Sequence, residues 1–404
     1  MPQQPLIQNK NIVIVGLQPW DTGIGSNCKN IAEEMSKHNK VLYVNSPLDT
    51  KTMMQQKDDP KVQMRLEVLE GKRDGLEKIN ENLYTWYPDV GIKSINWLST
   101  PFLFDIFNRR NNRKIAISIK RATQRLGMDE FILFNDNDIF RGLYLKEMLA
   151  PQVSVYYSRD YLLAVDYWKK HGQRLEPEII KTSDVCTANS TYLAQYCSKY
   201  NANSFYVGQG CDFSIYLKPL GVTPDDIATI PKPIIGYTGF ITGLRLDIAL
   251  LEQIATSKPE WSLVLVGPED AAFKQSTLHQ LPNVHFLGSK QPEALPEYVA
   301  AFDVCINPQL LNEVTIGNYP RKVDEYLAMG KPVVATQTEA MSIFAEHTYL
   351  GTGAQEYMQL IERALQEHNE SLADARKAFA LQHTWENSVA DIYKAILQVK
   401  PSLG

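Results

Sequence analysis

The sequence predicts an α/β chain built from two doubly wound parallel sheets, and three observations carry that reading. Apolar runs of strand length alternate with helical patterns twice over, in residues 11–207 and again in residues 234–335. Between the two series, residues 217–233 (LKPLGVTPDDIATIPKP) are rich in proline and acid and lack hydrophobic periodicity, as a linker would. Residues 317–336 (GNYPRKVDEYLAMGKPVVAT) read as a polar loop, a short helix, a glycine stop and a strand buried on both faces.

The elements follow in order. Asn11–Val15 (NIVIV) is a buried strand, Ile31–Met35 lies in a helical pattern, and Val41–Val44 is the next strand, together an opening βαβ unit. Residues 50–82 are polar and are expected to form loops and weak strands. Phe131–Phe134, Val153–Tyr157 and Ser183–Ala188 are later strands, the last followed by a helix through Tyr192 and Tyr196, and Ser204–Val207 ends the series. The second series has strands at Ile234–Tyr237, Trp261–Val266, Val284–Leu287 and Val304–Asn307, with helices at Leu246–Ser257 and Leu295–Ala301. Residues 354–368 and 371–398 are helical. The expected domains are 1–216, a linker at 217–233, 234–380, and a C-terminal helix, 381–404, returning to the first domain.

Composition excludes several classes. The 404 residues carry a net charge of −5, which gives no pull toward nucleic acid. The five cysteines are scattered without a C-x-x-C pair, and the seven histidines lack metal-ligand spacing, so buried thiols in a reducing compartment are expected and no metal site is. No apolar run reaches the length of a membrane span, and the N-terminus lacks the basic start and apolar run of a signal peptide, so a cytoplasmic protein is expected.

The helix in 317–336 carries chemistry at its front. Pro320 suits a first helical turn, and Gly330 with Pro332 stops the helix. Lys322 and Glu325 share one sector, while Val323 and Leu327 share another that is free to pack. The preceding loop, with Asn318, aims backbone N–H groups at an anion, Lys322 adds a point charge, and Glu325 can accept hydrogen bonds from a ribose diol. The same two side chains also fit a solvated ion pair.

Glu325 to Ala335 (EYLAMGKPVVA) resembles the nucleotide-binding motif of glycosyltransferases of the GT-B fold. The resemblance implies two facing Rossmann-like domains, a final helix crossing back to the first, and a glutamate that binds the donor ribose. The large retaining family has a further glutamate where this chain has Gly317. The spacing of Pro320, Lys322, Glu325 and Tyr326 is more similar to the branch containing bacterial exopolysaccharide glucuronosyltransferases, in which the lysine contacts the donor diphosphate. In YTGFITGLRLD, Gly239 and Arg245 correspond to the family's phosphate-binding loop, with Phe240 where an arginine is usual.

In the first half, Gly23 and Gly25 of WDTGIGSN permit tight turns and close approach to a ligand, and the resemblance places this loop beside the donor phosphates and the acceptor. Cys28 stands at the third glycine position, so a nicotinamide cofactor is not expected. Asp160 follows the strand Val153–Tyr157 and is the candidate base for an acceptor hydroxyl, ahead of Asp166 and His171; a helix cap or an ion pair with Arg159 is the alternative. Asp136-Asn137-Asp138 has the D-x-D form of metal-dependent transferases, a form also common in turns. Residues 106–128 hold seven basic residues and no acid, next to Trp97 and Phe102, so 97–125 is a candidate contact with an anionic membrane.

The expectation is therefore a metal-independent glycosyltransferase that needs no cofactor. It would move a sugar from a nucleotide-diphosphate sugar, a UDP-sugar by preference, to a glycan or polyprenyl-diphosphate-linked acceptor in cell-surface polysaccharide synthesis, at the inner face of the plasma membrane. A sugar-nucleotide 2-epimerase of the same fold and a non-catalytic nucleotide-sugar-binding scaffold are the alternatives.

Overall fold

A computed structural model describes residues 6–23 and 25–404. The chain forms two compact units, residues 1–208 with 385–404 and residues 209–384.

The first unit is built on an eight-stranded sheet of β1 (Asn11–Val15), β2 (Lys40–Val44), β3 (Leu76–Lys78), β4 (Leu83–Trp86), β5 (Ile132–Asp136), β6 (Val153–Ser158), β7 (Val185–Ala188) and β8 (Ser204–Tyr206). Their order is β3-β4-β2-β1-β5-β6-β7-β8, and every pairing is parallel except β3 with β4. Four of the five residues of β1 are buried, as a strand covered on both faces requires. One face is covered by helices Asn27–Ser36 and Trp385–Val399, whose Ile31, Met35, Val389, Ile392 and Ile396 pack on the sheet. The other face is covered by Pro101–Arg125 through Ile115, Ile119 and Ala122. Chain order reverses between β1 and β5, and the loop following β1 opens at that switch point, where such sheets bind ligands.

The second unit repeats the plan with six parallel strands: β9 (Ile234–Thr238), β10 (Ser262–Val266), β11 (Val284–Gly288), β12 (Val304–Asn307), β13 (Val333–Thr336) and β14 (Tyr349–Gly351). The order β11-β10-β9-β12-β13-β14 places its switch point between β9 and β12. Helices Ile248–Ser257 and Gly353–Glu367 lie on one face, and Leu295–Ala301 and Arg321–Ala328 on the other.

The structure departs from the sequence reading in three places. Residues 217–233 are part of the second unit, because helix Asp225–Ala228 buries Ile227 among Val299 and Phe302, and the divisions fall at 208/209 and 384/385. Residues 50–82 contain helices Thr50–Gln55 and Pro60–Leu69, capped by Asp49 and Asp59, whose largely exposed faces leave little apolar periodicity to detect. The helical stretch 371–398 is two helices, Glu370–Ala380 and Trp385–Val399, broken where the chain leaves the second unit.

One buried carboxyl sets a pH dependence. Glu176, on helix Asp166–Thr182, accepts hydrogen bonds from Tyr156 (2.9 Å) and Tyr196 (3.2 Å) and has no ion-pair partner among the described residues. Burial pushes it up to about 7. Between its ordinary value near 4.5 and about 7, the folded protein holds a proton that the unfolded chain has released. The group's contribution to stability is therefore complete below that window and is lost as pH rises through it, by on the order of 3 kcal/mol. Denaturant unfolding from pH 5 to 8 should show this decline, and Glu176→Gln should flatten it and be the more stable protein at pH 8. An unchanged slope in the variant would assign the decline to other groups.

Candidate functional site

In the second unit the candidate residues gather on loops at the carboxyl edge of β9 and β12. Helix Arg321–Ala328 buries Val323, Tyr326 and Leu327 completely, and Pro320 stands at its cap rather than inside its first turn. The Tyr326 hydroxyl accepts a hydrogen bond from Thr238 N–H (2.8 Å) and lies 3.2 Å from Thr238 Oγ1, which fixes the helix to the end of β9. Asp324, fully buried, accepts from Tyr319 Oη (2.7 Å) and from His383 Nδ1 (2.6 Å), with Cys211 Sγ at 3.5 Å. These bonds hold the helix start in one orientation.

That orientation lays Lys322 across Gly239. A Cβ at Gly239 would stand 2.0 Å from Lys322 Cε, and the residue has φ +133°. Gly267 packs from the other side, where a Cβ would stand 1.8 Å from Gly239 O. Both positions therefore require glycine. The Lys322 ammonium lies 5.5 Å from the centre of the Tyr237 ring, a cation–π contact. Lys322 and Glu325 do not form an ion pair with each other, and neither has an ion-pair partner among the described residues. Glu325 Oε2 instead accepts from Tyr216 Oη at 3.0 Å. Burial raises the Glu325 carboxyl above its usual range, opposed by Lys322, Arg321 and the Tyr216 hydrogen bond.

Two residues of this site were not expected from sequence. Arg321 has its Nε buried without a hydrogen-bond partner, beside Glu325. Its only sequence signal is adjacency to Lys322. Tyr216 lies more than a hundred positions from Glu325, and no local pattern connects them.

Arg245 is exposed in the turn after β9, its backbone carbonyl bonded by Leu310 N–H (2.7 Å), and it has no ion-pair partner among the described residues. The loop after β12 is fastened by Asn312, whose carbonyl caps Val314 and Thr315 N–H and whose amide donates to Leu244 O (3.0 Å). Asn318 follows, its N–H donated to Thr315 O (3.0 Å) and its side chain without a partner among the described residues. The loop thus offers the Asn318 side chain, not its N–H, to a ligand.

In the first unit, Asp160 follows β6 with its carboxylate 42% exposed. Arg159 donates from Nη1 to Asp160 Oδ2 (2.7 Å) and from Nε to the fully buried Asp136 (2.7 Å). Asn137, at φ 55°, donates to Asp160 O (3.1 Å) and accepts from Arg159 N–H (3.2 Å). The ion pair with Arg159 therefore forms, and it fixes one carboxylate oxygen. Asp138 pairs with Arg141, so both acids of the D-x-D run are bound to arginines, and no metal-type cluster of histidine, cysteine and acid occurs among the described residues. Gly23 and Gly25 face open space, where a Cβ would meet nothing within 4 Å; Ile24 lies outside the described residues. The glycine required by close approach is Gly16, where a Cβ would stand 2.2 Å from the Tyr43 hydroxyl.

Three of the seven cations of the basic helix Pro101–Arg125 are ion-paired. Arg109 pairs with Glu147, Arg121 with Asp89 and Arg125 with Asp74, while Lys114 donates to Gly91 O. The acids come from elsewhere in the chain, so the local sequence shows only cations. No described helix is long and apolar enough to cross a membrane.

Residues 232–367 match the family model of glycosyl transferases group 1. A curated relative, the putative teichuronic acid biosynthesis glycosyltransferase TuaH of Bacillus subtilis, is 26% identical over 57% of this chain and 61% of its own length. The match thus spans about three fifths of that relative. Among solved structures, sucrose-phosphate synthase from Thermosynechococcus elongatus aligns with TM-score 0.66 at 15% identity, over 98% of this chain and all of that one. Anabaena Alr3699/HepE in complex with UDP aligns at 0.62 and 17%, over 97% and 100%. Trehalose 6-phosphate synthase from Burkholderia multivorans aligns at 0.64 and 11%, over 98% and 100%.

The Asp324 network yields a stability test. Replacing His383 by alanine leaves a fully buried carboxylate with one of its partners removed, which should lower unfolding free energy by about 3 kcal/mol. Denaturant melts of His383→Ala measure this. A loss below about 0.5 kcal/mol would mean that Tyr319 and Cys211 satisfy Asp324 by themselves.

Proposed function

From the premise of a GT-B-fold chain whose residues 232–367 match glycosyl transferases group 1, we propose that this protein transfers a sugar from a nucleoside-diphosphate sugar to a glycan or lipid-linked acceptor. The observation that carries the reading is the set of uncommitted groups at the edge of β9. Lys322 and Arg321 have no ion-pair partner within salt-bridge distance among the described residues, and they lie near a glutamate already oriented by Tyr216. A nucleoside diphosphate supplies what these groups lack. Its phosphate oxygens accept from Lys322, Arg321 and Arg245, and its ribose hydroxyls donate to Glu325. Gly239 keeps the backbone thin where the diphosphate lies, and Asn318 adds an amide. The UDP in the HepE structure supports a uridine donor. The teichuronic acid role in the name of the curated relative supports an acceptor in cell-surface polysaccharide synthesis.

In the proposed reaction an acceptor hydroxyl oxygen bonds to the anomeric carbon as the bond from that carbon to the phosphate oxygen breaks. The electron pair leaves with the nucleoside diphosphate, whose growing charge the two arginines and Lys322 stabilise without a metal. Asp160 takes the hydroxyl proton if configuration inverts, its other oxygen being held by Arg159.

Isothermal titration with UDP and a turnover assay with UDP-sugars separate the roles. Glu325→Ala should weaken UDP binding by about tenfold or more, the loss of a charge-assisted hydrogen-bonded contact. Asp160→Asn should keep UDP affinity and lose transfer by about a hundredfold or more. Equal UDP affinity in wild type and Glu325→Ala would remove the site assignment. Alteration of the donor sugar without an acceptor would make the protein an epimerase.

A further inference from the structure

Three aromatic side chains of the first unit stand in solvent: Trp97 is 75% exposed, Phe102 70% and Tyr167 56%. They come from three segments that are tied together. Asn96 donates to Tyr167 O (2.8 Å) and Lys170 to Trp97 O (3.0 Å), which joins the loop 93–98 to helix Asp166–Thr182. The ring of Phe104 stacks on His171 at 3.8 Å, and Arg174 holds both carboxylate oxygens of Asp105 (3.0 and 2.7 Å), which joins the start of helix Pro101–Arg125 to the same helix. The Trp97 indole N–H donates to Ser94 O (3.0 Å), so the ring is held in one orientation while it stays largely uncovered. Leu103, 42% exposed, follows Phe102 on the first helical turn.

The cations around these rings are not neutralised. Lys51, Lys93 and Lys170 line one cavity of about 740 Å³ together with Trp97 and Tyr167. Phe107, one turn beyond Leu103, has Lys93 and Arg110 each 5.6 Å from its ring centre. Lys51, Lys93, Arg110 and Lys170 are exposed and have no ion-pair partner among the described residues. The acids lining the cavity are mostly committed. Asp49 caps a helix and accepts from Ser94, and Asp138 is bound to Arg141, which leaves Asp166. Farther along helix Pro101–Arg125 the pattern changes, because Arg121 and Arg125 are paired with Asp89 and Asp74. Free positive charge and open rings therefore coincide at the helix start and the loop 93–98, not along the whole basic stretch.

We propose that this surface docks on an anionic lipid bilayer, with the rings of Trp97, Phe102 and Tyr167 entering the interface and Lys51, Lys93, Arg110 and Lys170 meeting lipid phosphates. An exposed apolar patch rimmed by polar groups marks an interaction surface, and the rim here is basic. A bilayer supplies both complements side by side: phosphate oxygens at the headgroup level for the cations, and the acyl boundary just beneath for the rings. A soluble anion would meet the cations and leave the rings in water, and a neutral apolar surface would do the reverse. Lysine and arginine stems are long enough to keep their charges among the headgroups while the rings go deeper. Neither signal holds a protein firmly by itself, and the fold places the two together. The docking surface uses none of the donor-site residues, so it goes beyond the transfer reading and stands or falls apart from it.

The test uses the full chain and vesicles of phosphatidylcholine, with and without phosphatidylglycerol. Co-sedimentation should show binding to the anionic vesicles about tenfold or more tighter than to the neutral ones, weakening as salt rises. Trp97→Ala with Phe102→Ala should weaken that binding about tenfold, and so should Lys93→Glu with Arg110→Glu. All four side chains are exposed, so both variants should keep the wild-type thermal shift with UDP. Lipids brominated on their acyl chains should quench tryptophan fluorescence, and Trp97→Ala should lose most of that quenching. Absence of binding to anionic vesicles would overturn the proposal, as would binding that neither pair of substitutions weakens. Weakening by the charge substitutions alone, with no quenching by brominated lipid or with full competition by soluble glycerol phosphate, would identify a site for soluble anions or an acidic partner and would overturn it too. Vesicle binding in a protein that does not respond to UDP would keep the docking surface and remove the donor reading instead.

Discussion

The second unit's candidate site depends on one close approach, the Lys322 side chain lying across the backbone of Gly239. A Cβ at that position would stand 2.0 Å from the lysine, its φ of +133° favours glycine, and a Cβ at Gly267 would stand 1.8 Å from the Gly239 carbonyl oxygen. The approach persists because the helix bearing Lys322 is fixed independently at both of its other faces. Tyr326 bonds the end of β9, and Asp324 bonds Tyr319 and His383. Buried hydrogen bonds at Asp324 and Tyr326 fix the backbone of the short helix that carries Lys322 and Glu325. Lys322 and Glu325 are thereby kept from neutralising each other, an arrangement that spacing alone would not predict.

The first unit fixes its carboxyl edge by a different device. Arg159 bridges a fully buried aspartate and a half-exposed one, with Asn137 in a left-handed conformation closing the turn around it. A buried charge pair is strongly destabilising to break from one side. Asp136 is therefore the anchor, Arg159 the arm, and Asp160 the group presented to solvent. Both acids of the D-x-D run are held by arginines, Asp136 by Arg159 and Asp138 by Arg141.

Much of the fold was legible because its signals are local. NIVIV, SLVLV and VVAT are apolar over strand length and are the buried central strands of the two sheets. Lys322, Glu325 and the Gly330 stop lie within one helix, so their pattern survives reading in one dimension. What escaped depends on partners far away in sequence. Tyr216 meets Glu325 across more than a hundred positions, and the basic helix finds its acids at positions 74, 89 and 147. Ile227 sits in a stretch that looks like a linker, because one buried residue in four turns a proline-rich segment into part of a core. The glycines show the same limit. Gly23 and Gly25 have the spacing of a ligand loop and a Cβ at either would meet open space, while the isolated Gly16 is required by Tyr43.

Burial of a polar group does not by itself mark a site; what separates cases is whether the fold supplies the partner. Glu176 is almost completely buried, but two tyrosine hydroxyls meet its two oxygens, and its shifted titration is a consequence of packing. Arg321 differs: its Nε is buried, and no group among the described residues bonds it. A fold that leaves such atoms unmatched loses stability unless another molecule completes them. The second unit sets cations beside a carboxylate that Tyr216 already holds, the complement of the phosphates and ribose of a nucleoside diphosphate.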